Sequence, residues 1–485
     1  MRYAHAVADV RSAERELMAR LPEGALMQRA AFGLARVAAG MLRGGSGAVY
    51  GSRVVLLVGV GDNGGDALYA GALLARRGVS VHAVLVDPAR AHVGGVSDLR
   101  DAGGRVLSTD AAEVVLRRAD LIMDGLLGIG GRGGLRGAFA ELAAVAHSAA
   151  QTSGAPILAV DLPSGIDADT GEVAGAAVQA DVTVTFGTHK PGLFVDPGAG
   201  HAGIVEFIDI GLEFPPSVAP VIENLQQEDV RALLPEPSRS SHKYSRGVVG
   251  LAVGSERYPG AAQLAVGAAL RSGVGAVRYS GPVFVVRTHP EVVVNGDGRV
   301  QAWVVGSGIG QDDEAQRRLH EVLATDVPVV VDADGLRLLP QKSLDRSAPT
   351  ILTPHAGEAA YLLGVTAAEI EGQRLASVRR LADLYDATVL LKGSLTLIAD
   401  PRNSPRHSTV RVNTHASPAL ATAGSGDVLA GLIGGLLAGG LPAYDAAAVG
   451  AYLHGAAGLL AARSGPVAAG DLVATLPLAW QNIRE

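Results

Sequence analysis

Arg53–Gly61 reads RVVLLVGVG, a near-continuous apolar run that stops in glycines. A strand covered on one face alternates apolar and polar residues. One that is apolar at almost every position is buried on both faces, as the strands of a parallel sheet are. Working outward, Asp66–Arg77 has helical spacing, and VSVHAVLVD (Val79–Asp87) supplies the next strand. The stretches ADLIMDGLLG, APILAVDLPSG and ADVTVTFG repeat the theme. This alternation predicts a mostly parallel sheet covered by helices, with roughly the first 40 residues as helices outside it.

The pattern breaks at LEFPPSVAP (Leu212–Pro220), where three prolines can continue neither a helix nor a central strand. Residues 1–213 are read as one domain, 214–225 as a linker and 226–485 as a second domain. A short helix is expected at Asn224–Leu234. A second α/β series then starts at GVVGLAVGS (Gly247–Ser255) and runs through AWVVGSGIG, VPVVVDADG, TILTPHAGE and ATVLLKGSLTLIAD. The chain ends in Ala/Gly-rich helices. Val428–Ala443 is uncharged, but Gly434, Gly435, Gly439, Gly440 and Pro442 interrupt it, which favours buried helices over a membrane span.

Composition removes whole classes of function. With no cysteine there is no disulfide framework, cysteine zinc site, iron–sulfur cluster or thiol nucleophile. A net charge of −7 without a basic cluster argues against nucleic acid, and 4% aromatic residues against base-stacking platforms. The N-terminus, MRYAHAVADVRSAERE, carries charges throughout and has no apolar core of a signal peptide. A cytoplasmic enzyme acting on small molecules is expected, homo-oligomeric and with no membrane or nucleic-acid partner. Lysine occurs only at Lys190, Lys243, Lys342 and Lys392, and three of these fall in the motifs below.

In the first half, GVGDNGGDA (Gly59–Ala67) joins a strand to a helix. Glycines let the backbone approach a ligand, and a helix N-terminus offers N–H groups to an anion. The interleaved Asp62, Asn63 and Asp66 would repel a bare pyrophosphate unless a cation or sugar hydroxyls are bound as well. Asp124, the glycine-dense Gly125–Gly137, and DLPSGID (Asp161–Asp167) also follow strands. Ligands of parallel sheets bind at the carboxyl ends of strands, so three such loops point to one polar pocket.

With LMQRAA (Leu26–Ala31), TGEV and TVTFGTHKPGL (Thr183–Leu193), these motifs resemble the NAD(P)H-hydrate epimerase domain over roughly residues 10–212. The resemblance implies a Rossmann-like three-layer αβα fold. It places the hydrated nucleotide against Asp62, Asn63, Gly64, Gly65 and Asp66, against Gly128, Ile129, Gly130, Gly131, Arg132, Gly133 and Gly134, and against Asp161. It gives K+ to Asn63, Asp124 and Ser164, hard oxygen donors of the kind an alkali cation needs. Asp62 replaces the usual Asn and Ala67 the usual Gly. Asp161 would relay a proton while the R and S forms interconvert at C6. Lys190 stands open between a partner of Asp161 and a surface residue.

In the second half, ATAGSGDVLAG (Ala421–Gly431) is a glycine-rich turn opening a helix. Its N–H groups form an anion hole, and Asp427 is placed to take a proton from an attacking hydroxyl. With HKYSRG (His242–Gly247), GSERYPGAAQLA (Gly254–Ala265), GSGIG (Gly306–Gly310), VDADGL (Val331–Leu336), TPHAGE (Thr353–Glu358) and LKGSLT (Leu391–Thr396), it resembles ADP/ATP-dependent NAD(P)H-hydrate dehydratase, a ribokinase-like fold, over roughly residues 240–460. The resemblance gives the hydrated nucleotide to Ala261, Gly308, His355 and Asp427. It gives ADP or ATP to Lys392, Gly393, Ser394, Leu395 and Thr396, and to Ser417, Pro418, Thr422, Ala423, Gly424, Ser425 and Gly426. Glu358 and Asp332 or Asp334 would place Mg²⁺ through water. The stretch NTHASP (Asn413–Pro418) departs from the family's TGNP.

The two halves together imply a bifunctional repair enzyme, one domain epimerising hydrated NADH or NADPH and the other dehydrating the S form. Two alternatives stand beside it. One is a ribokinase-like kinase of a small alcohol, since the GSGD turn alone does not exclude it. The other makes the first half a binding module that senses a nucleotide without turning it over.

Overall fold

The computed structural model describes residues 1–45, 47–296 and 298–485. The chain divides into two compact units, Tyr3–Val221 and Ile222–Glu485 with Met1–Arg2. Both have the expected α/β architecture.

In the first unit the strands are β1 (Arg53–Val58), β2 (Ser80–Leu85), β3 (Arg105–Leu107), β4 (Leu121–Gly125), β5 (Ile157–Val160), β6 (Val182–Phe186) and β7 (Ile204–Ile208). They form one sheet in the order β3-β2-β1-β4-β5-β6-β7, with every pair parallel. Successive residues of β1 feed opposite faces. Val54, Leu56 and Val58 pack with helices α2 (Ala25–Gly45) and α3 (Asp62–Ala75), while Val55 and Leu57 join the cluster under α4 (Ala138–Ser153). This is why the run is apolar throughout, and each buried Leu or Val contributes about 1.5–3 kcal/mol. The chain leaves β1 toward β2 and β3, then returns to β4 on the other side of β1. Crevices form at such a reversal, and the loops after β1 and β4 flank it.

Helix α3 begins at Asp62, four residues before the apolar periodicity reveals it. Gly61, at φ 88°, makes the turn, and the polar, glycine-rich first turn carries no periodic signal. Asp62–Asp66 therefore lie on the helix, not in a loop before it.

The second unit contains β8 (Ile222–Asn224), β9 (Val248–Ala252), β10 (Ala276–Tyr279), β11 (Val293–Val294), β12 (Ala302–Val305), β13 (Val329–Val331), β14 (Thr350–Leu352), β15 (Thr388–Leu391), β16 (Thr396–Ala399) and β17 (Val410–Asn413). Their order is β8-β17-β16-β15-β14-β13-β12-β9-β10-β11. β15, β16 and β17 pair antiparallel and the other neighbours parallel. The helix expected at Asn224–Leu234 is α5 (Gln227–Leu233), because Asn224 ends β8 and Gln226 caps the helix, its N–H donating to Asp229 at 2.8 Å.

The Ala/Gly runs form α6 (Ser425–Ala438) and α7 (Ala443–Ala462), buried almost end to end. Their glycines allow close packing. A Cβ on Gly431 would fall 2.0 Å from the Ala265 carbonyl oxygen of α8 (Pro259–Leu270), and one on Gly434 2.0 Å from Val304 of β12. Among the described residues no helix is long and apolar enough to cross a membrane.

Candidate active sites

In the first unit the loops after β1 and β4 meet so closely that a Cβ on Gly59 would fall 1.8 Å from the Leu126 carbonyl oxygen. Asp124, at the end of β4, is fully buried. Its carboxylate accepts hydrogen bonds from the Ser164 hydroxyl at 2.7 Å, the Ser164 N–H at 2.8 Å and the Leu126 N–H at 3.2 Å. Burial pushes its pKa up to about 6 against the pull of those bonds. Asn63 packs its side chain on Gly128, whose absent Cβ would lie 2.9 Å from Oδ1. The amide Nδ2 of Asn63 is buried with no hydrogen-bond partner among the described residues.

Asp161 follows β5 in the left-handed region, at φ 68°. Such a conformation costs on the order of 1–3 kcal/mol and persists only where the surroundings hold it. Its N–H donates to the Val184 carbonyl at 2.7 Å, and the Lys190 ammonium is ion-paired with its carboxylate. Lys190 is 2% exposed, and its remaining protons go to Thr185 Oγ1 and the Phe186 carbonyl, both at 3.1 Å. All three donors of the ammonium are used. Lys190 is therefore a buried partner of Asp161 and not a surface residue.

Two more carboxyl groups feel the charges of the pair. Burial, together with the charges of Asp161, Asp62 and Glu14, raises Asp66 well above the usual carboxylate range. Burial also raises Glu14 of α1 (Val7–Met18), with Lys190 pulling it down and Asp161 pushing it up. Nothing in RSAERE distinguishes Glu14 from a solvated helix residue, so the sequence reading missed it. The loop Gly128–Gly134 is partly exposed, and its end is anchored where Leu135 N–H donates to the Ala176 carbonyl at 2.7 Å.

In the second unit, Asp332 at the end of β13 is 1% exposed. It accepts from Thr353 Oγ1 at 2.8 Å, Lys392 Nζ at 2.9 Å and Ser307 Oγ at 3.1 Å. The Lys392 ammonium also lies 3.7 Å from Glu358. Burial would lower the Lys392 pKa, but Asp332 and Glu358 outweigh it and raise it. A Cβ on Gly426 would stand 3.4 Å from Lys392 Nζ, so the lysine reaches the first turn of α6. Asp427 lies in that turn. Burial and the neighbouring Asp332 push its pKa up to about 6, while Ser307 and Lys392 draw it back.

The expected residues gather around this cluster to different degrees. Ala261 and Gly308 meet, since a Cβ on Gly308 would be 2.7 Å from that of Ala261. Asp334 holds the same loop by accepting the Gly310 N–H at 3.0 Å. His355 caps α9 (Ala356–Leu363), its Nδ1 accepting from Gly357 at 3.0 Å and Glu358 at 3.2 Å. Its side chain is 55% exposed. Gly424, Ser425 and Gly426 form the mouth of α6, and Thr422 and Ala423 lead into it. Ser417 and Pro418 stand upstream on a short 3-10 turn. Lys392–Leu395 make the β15–β16 connection and Thr396 opens β16; a buried guanidinium, Arg374, donates to the carbonyls of the connection. Ser307, Thr353 and Arg374 were not found from sequence. Among the described residues no three His, Asp or Glu side chains converge as a metal centre. Asp332 and Glu358, two of the carboxylates expected to place Mg²⁺, face the Lys392 ammonium.

Residues 249–478 match the family model described as NAD(P)H-hydrate dehydratase, and residues 23–192 the one described as YjeF-related protein N-terminus. Over 476 residues the chain is 47% identical to the bifunctional NAD(P)H-hydrate repair enzyme Nnr of Mycobacterium leprae, with 96% of each chain covered. It is 45% identical over 457 residues to the protein of the same name from Mycobacterium tuberculosis, with 92% of each covered. The ADP/ATP-dependent NAD(P)H-hydrate dehydratase of Bacillus subtilis, co-crystallised with ATP/Mg²⁺, is 31% identical. That match covers 53% of this chain and 97% of the other, at a TM-score of 0.49.

Proposed function

The chain belongs to the bifunctional NAD(P)H-hydrate repair enzymes, and from that premise we propose which residues carry each half of the work. The epimerase is the unit Tyr3–Val221 and the dehydratase the unit beginning at Ile222, so the expected linker 214–225 gives up its last residues to β8 of the second unit. The observation that carries the reading is that each unit holds a buried carboxylate paired with a lysine at the carboxyl ends of its strands, Asp161 with Lys190 in one and Asp332 with the half-buried Lys392 in the other.

In the epimerase, Asp161 moves the proton of the C6 hydroxyl, and the Lys190 ammonium paired with it keeps it aimed. The nucleotide lies along Asp62–Asp66 and Gly128–Gly134. The donor set fits K+. Asp124 is a buried carboxylate whose charged form burial disfavours, and the buried Asn63 amide exposes no partnered nitrogen. With its oxygen turned to the same place, Asn63 joins Asp124 and Ser164 as a hard donor set. The ion would supply the positive charge that keeps Asp124 ionised beside an anionic substrate.

In the dehydratase, Asp427 removes the proton from the 6-hydroxyl. That oxygen attacks the terminal phosphorus of ADP or ATP, its P–O bond forming as the bond to the departing nucleotide breaks. Elimination of phosphate from C6, with loss of a proton, returns the dihydronicotinamide. The first turn of α6 and Lys392 face the transferring phosphoryl group, so catalysis is positioning and charge stabilisation. Mg²⁺ travels with the nucleotide and would neutralise its phosphate charge, reached through water by Glu358 and Asp332 or Asp334. The enzyme is cytoplasmic and homo-oligomeric.

The test supplies the full chain with K+, Mg²⁺, ADP and a mixed-epimer NADPH hydrate, following dihydronicotinamide absorbance and phosphate. Complete recovery is expected from the wild type. Recovery limited to the S fraction is expected from Asp161→Asn, and none from Asp427→Asn. Full recovery in either variant overturns its assignment.

A further inference from the structure

Arg374 opens α10 (Arg374–Tyr385), 1% exposed, and no part of the mechanism above uses it. Its Nη2 lies beneath the β15–β16 connection, donating to the carbonyls of Lys392 and Leu395 at 3.1 Å and nearing that of Leu391 at 3.4 Å. Nη1 is paired with Glu371 at 2.7 Å, a carboxylate 54% exposed. Burying a guanidinium is expensive, and one half-solvated partner offsets little of that. The carbonyls of the turn satisfy Nη2, while Nε is buried without a hydrogen-bond partner among the described residues, so the turn is the main compensation the guanidinium has.

A trans peptide holds its C=O and N–H on opposite edges of one plane. With the Lys392 carbonyl turned down onto Arg374, the Gly393 N–H is turned away from it. The Lys392 N–H is itself held by the Pro354 carbonyl at 2.8 Å, so the backbone of Lys392 is fixed on both sides. The same packing explains the glycine. A Cβ on Gly393 would fall 2.4 Å from Arg374 Nη2, although nothing in the backbone conformation at that position demands glycine.

We propose that Arg374 is a positioning residue for the nucleotide: it holds the Lys392–Leu395 turn so that the Gly393 N–H and the Lys392 ammonium meet the phosphates of ADP or ATP. The inference rests on the reading that this turn binds the nucleotide. The contact is made to ADP before and during transfer, so its loss raises the KM for ADP and leaves the KM for the hydrate alone.

The experiment measures both KM values and kcat for the full chain and for Arg374→Met, Arg374→Lys, Gly393→Ala and Lys392→Met. Arg374→Met is expected to raise the KM for ADP about tenfold or more, the equivalent of about 1.4 kcal/mol, with the hydrate KM within about twofold. Arg374→Lys, which keeps the charge but loses the fork, recovers part of that. Gly393→Ala gives the same signature because its methyl group strikes the guanidinium. Combined with Arg374→Met it adds nothing further, since both act through one contact. The proposal is overturned if ADP binding is unchanged in Arg374→Met, if both KM values rise and kcat falls together with the thermal midpoint, or if the two substitutions simply add. Should Arg374→Met fail to fold, Gly393→Ala with Arg374→Lys decides it by the same signature. Lys392→Met separates the two levels. If it leaves the KM for ADP untouched, the assignment of the turn itself fails. If it raises that KM while the Arg374 and Gly393 variants do not, only the role of Arg374 fails.

Discussion

With Asp427 as the proposed base, its protonation should set an acid limit on the dehydratase whose position the surrounding charges determine. With a pKa of about 6, Asp427 is about nine-tenths ionised at pH 7 and about one-tenth at pH 5. As the base it must be ionised, so kcat/KM for the hydrate falls about tenfold between those values and is flat above pH 7. Two substitutions move this limb in opposite directions. Asp332 raises the Asp427 pKa, so Asp332→Asn shifts the limb to lower pH. Lys392 lowers it, so Lys392→Met shifts the limb to higher pH. A displacement on the order of one unit corresponds to about 1.36 kcal/mol of lost interaction. Asp427→Asn removes the limb along with about 10²–10⁴ of the rate, the usual contribution of a general base. The assay is initial-rate phosphate release at saturating Mg²⁺ and ADP from pH 5 to 8. The nucleotide's own titration is common to all variants and cancels between them. A limb that stays put in both variants, or moves the same way in both, refutes the placement of the proton on Asp427.

Lys190→Met breaks a buried ion pair and leaves Asp161 without its paired cation among the charges of Asp66 and Glu14. A loss of about 3–5 kcal/mol in the first unit is expected by denaturant titration, with epimerase activity abolished and dehydratase activity retained. K+ should raise the thermal midpoint of the first unit at pH 7. The Asp124 carboxylate has its folded pKa raised, so its charge opposes folding above pH 6 and is absent well below it. The K+ increment therefore shrinks as pH falls through about 6, and an increment independent of pH would remove Asp124 from the ion's ligands. Gly431→Ala forces a Cβ to within 2.0 Å of the Ala265 carbonyl oxygen and should cost about 1–3 kcal/mol or more by calorimetry. An unchanged midpoint would mean that α6 and α8 do not cross as described.

What could be read from the chain alone was whatever is local and periodic. The doubly apolar β1, the strand–helix alternation, the proline break near Leu212 and the glycine turns before Asp66 and Asp427 are patterns of a few neighbouring residues. Their chemistry dictates backbone conformation directly. The motifs carried Asp161, Asp124, Ser164, Lys392 and Asp427 for the same reason, since each stands beside a turn that its neighbours announce. Tertiary structure decided the rest. The start of α3 was hidden because Asp62–Asp66 lacks apolar spacing. Glu14 comes within the electrostatic influence of Asp161 and Lys190 from a helix almost 150 residues away in the chain. Ser307 and Thr353 meet on Asp332 from separate strand ends, and Arg374 meets the Lys392–Leu395 turn from the start of a helix. No spacing in one dimension encodes such meetings. They exist because parallel sheets bring the carboxyl ends of distant strands together, and because burial leaves each charge there only the partners the fold supplies.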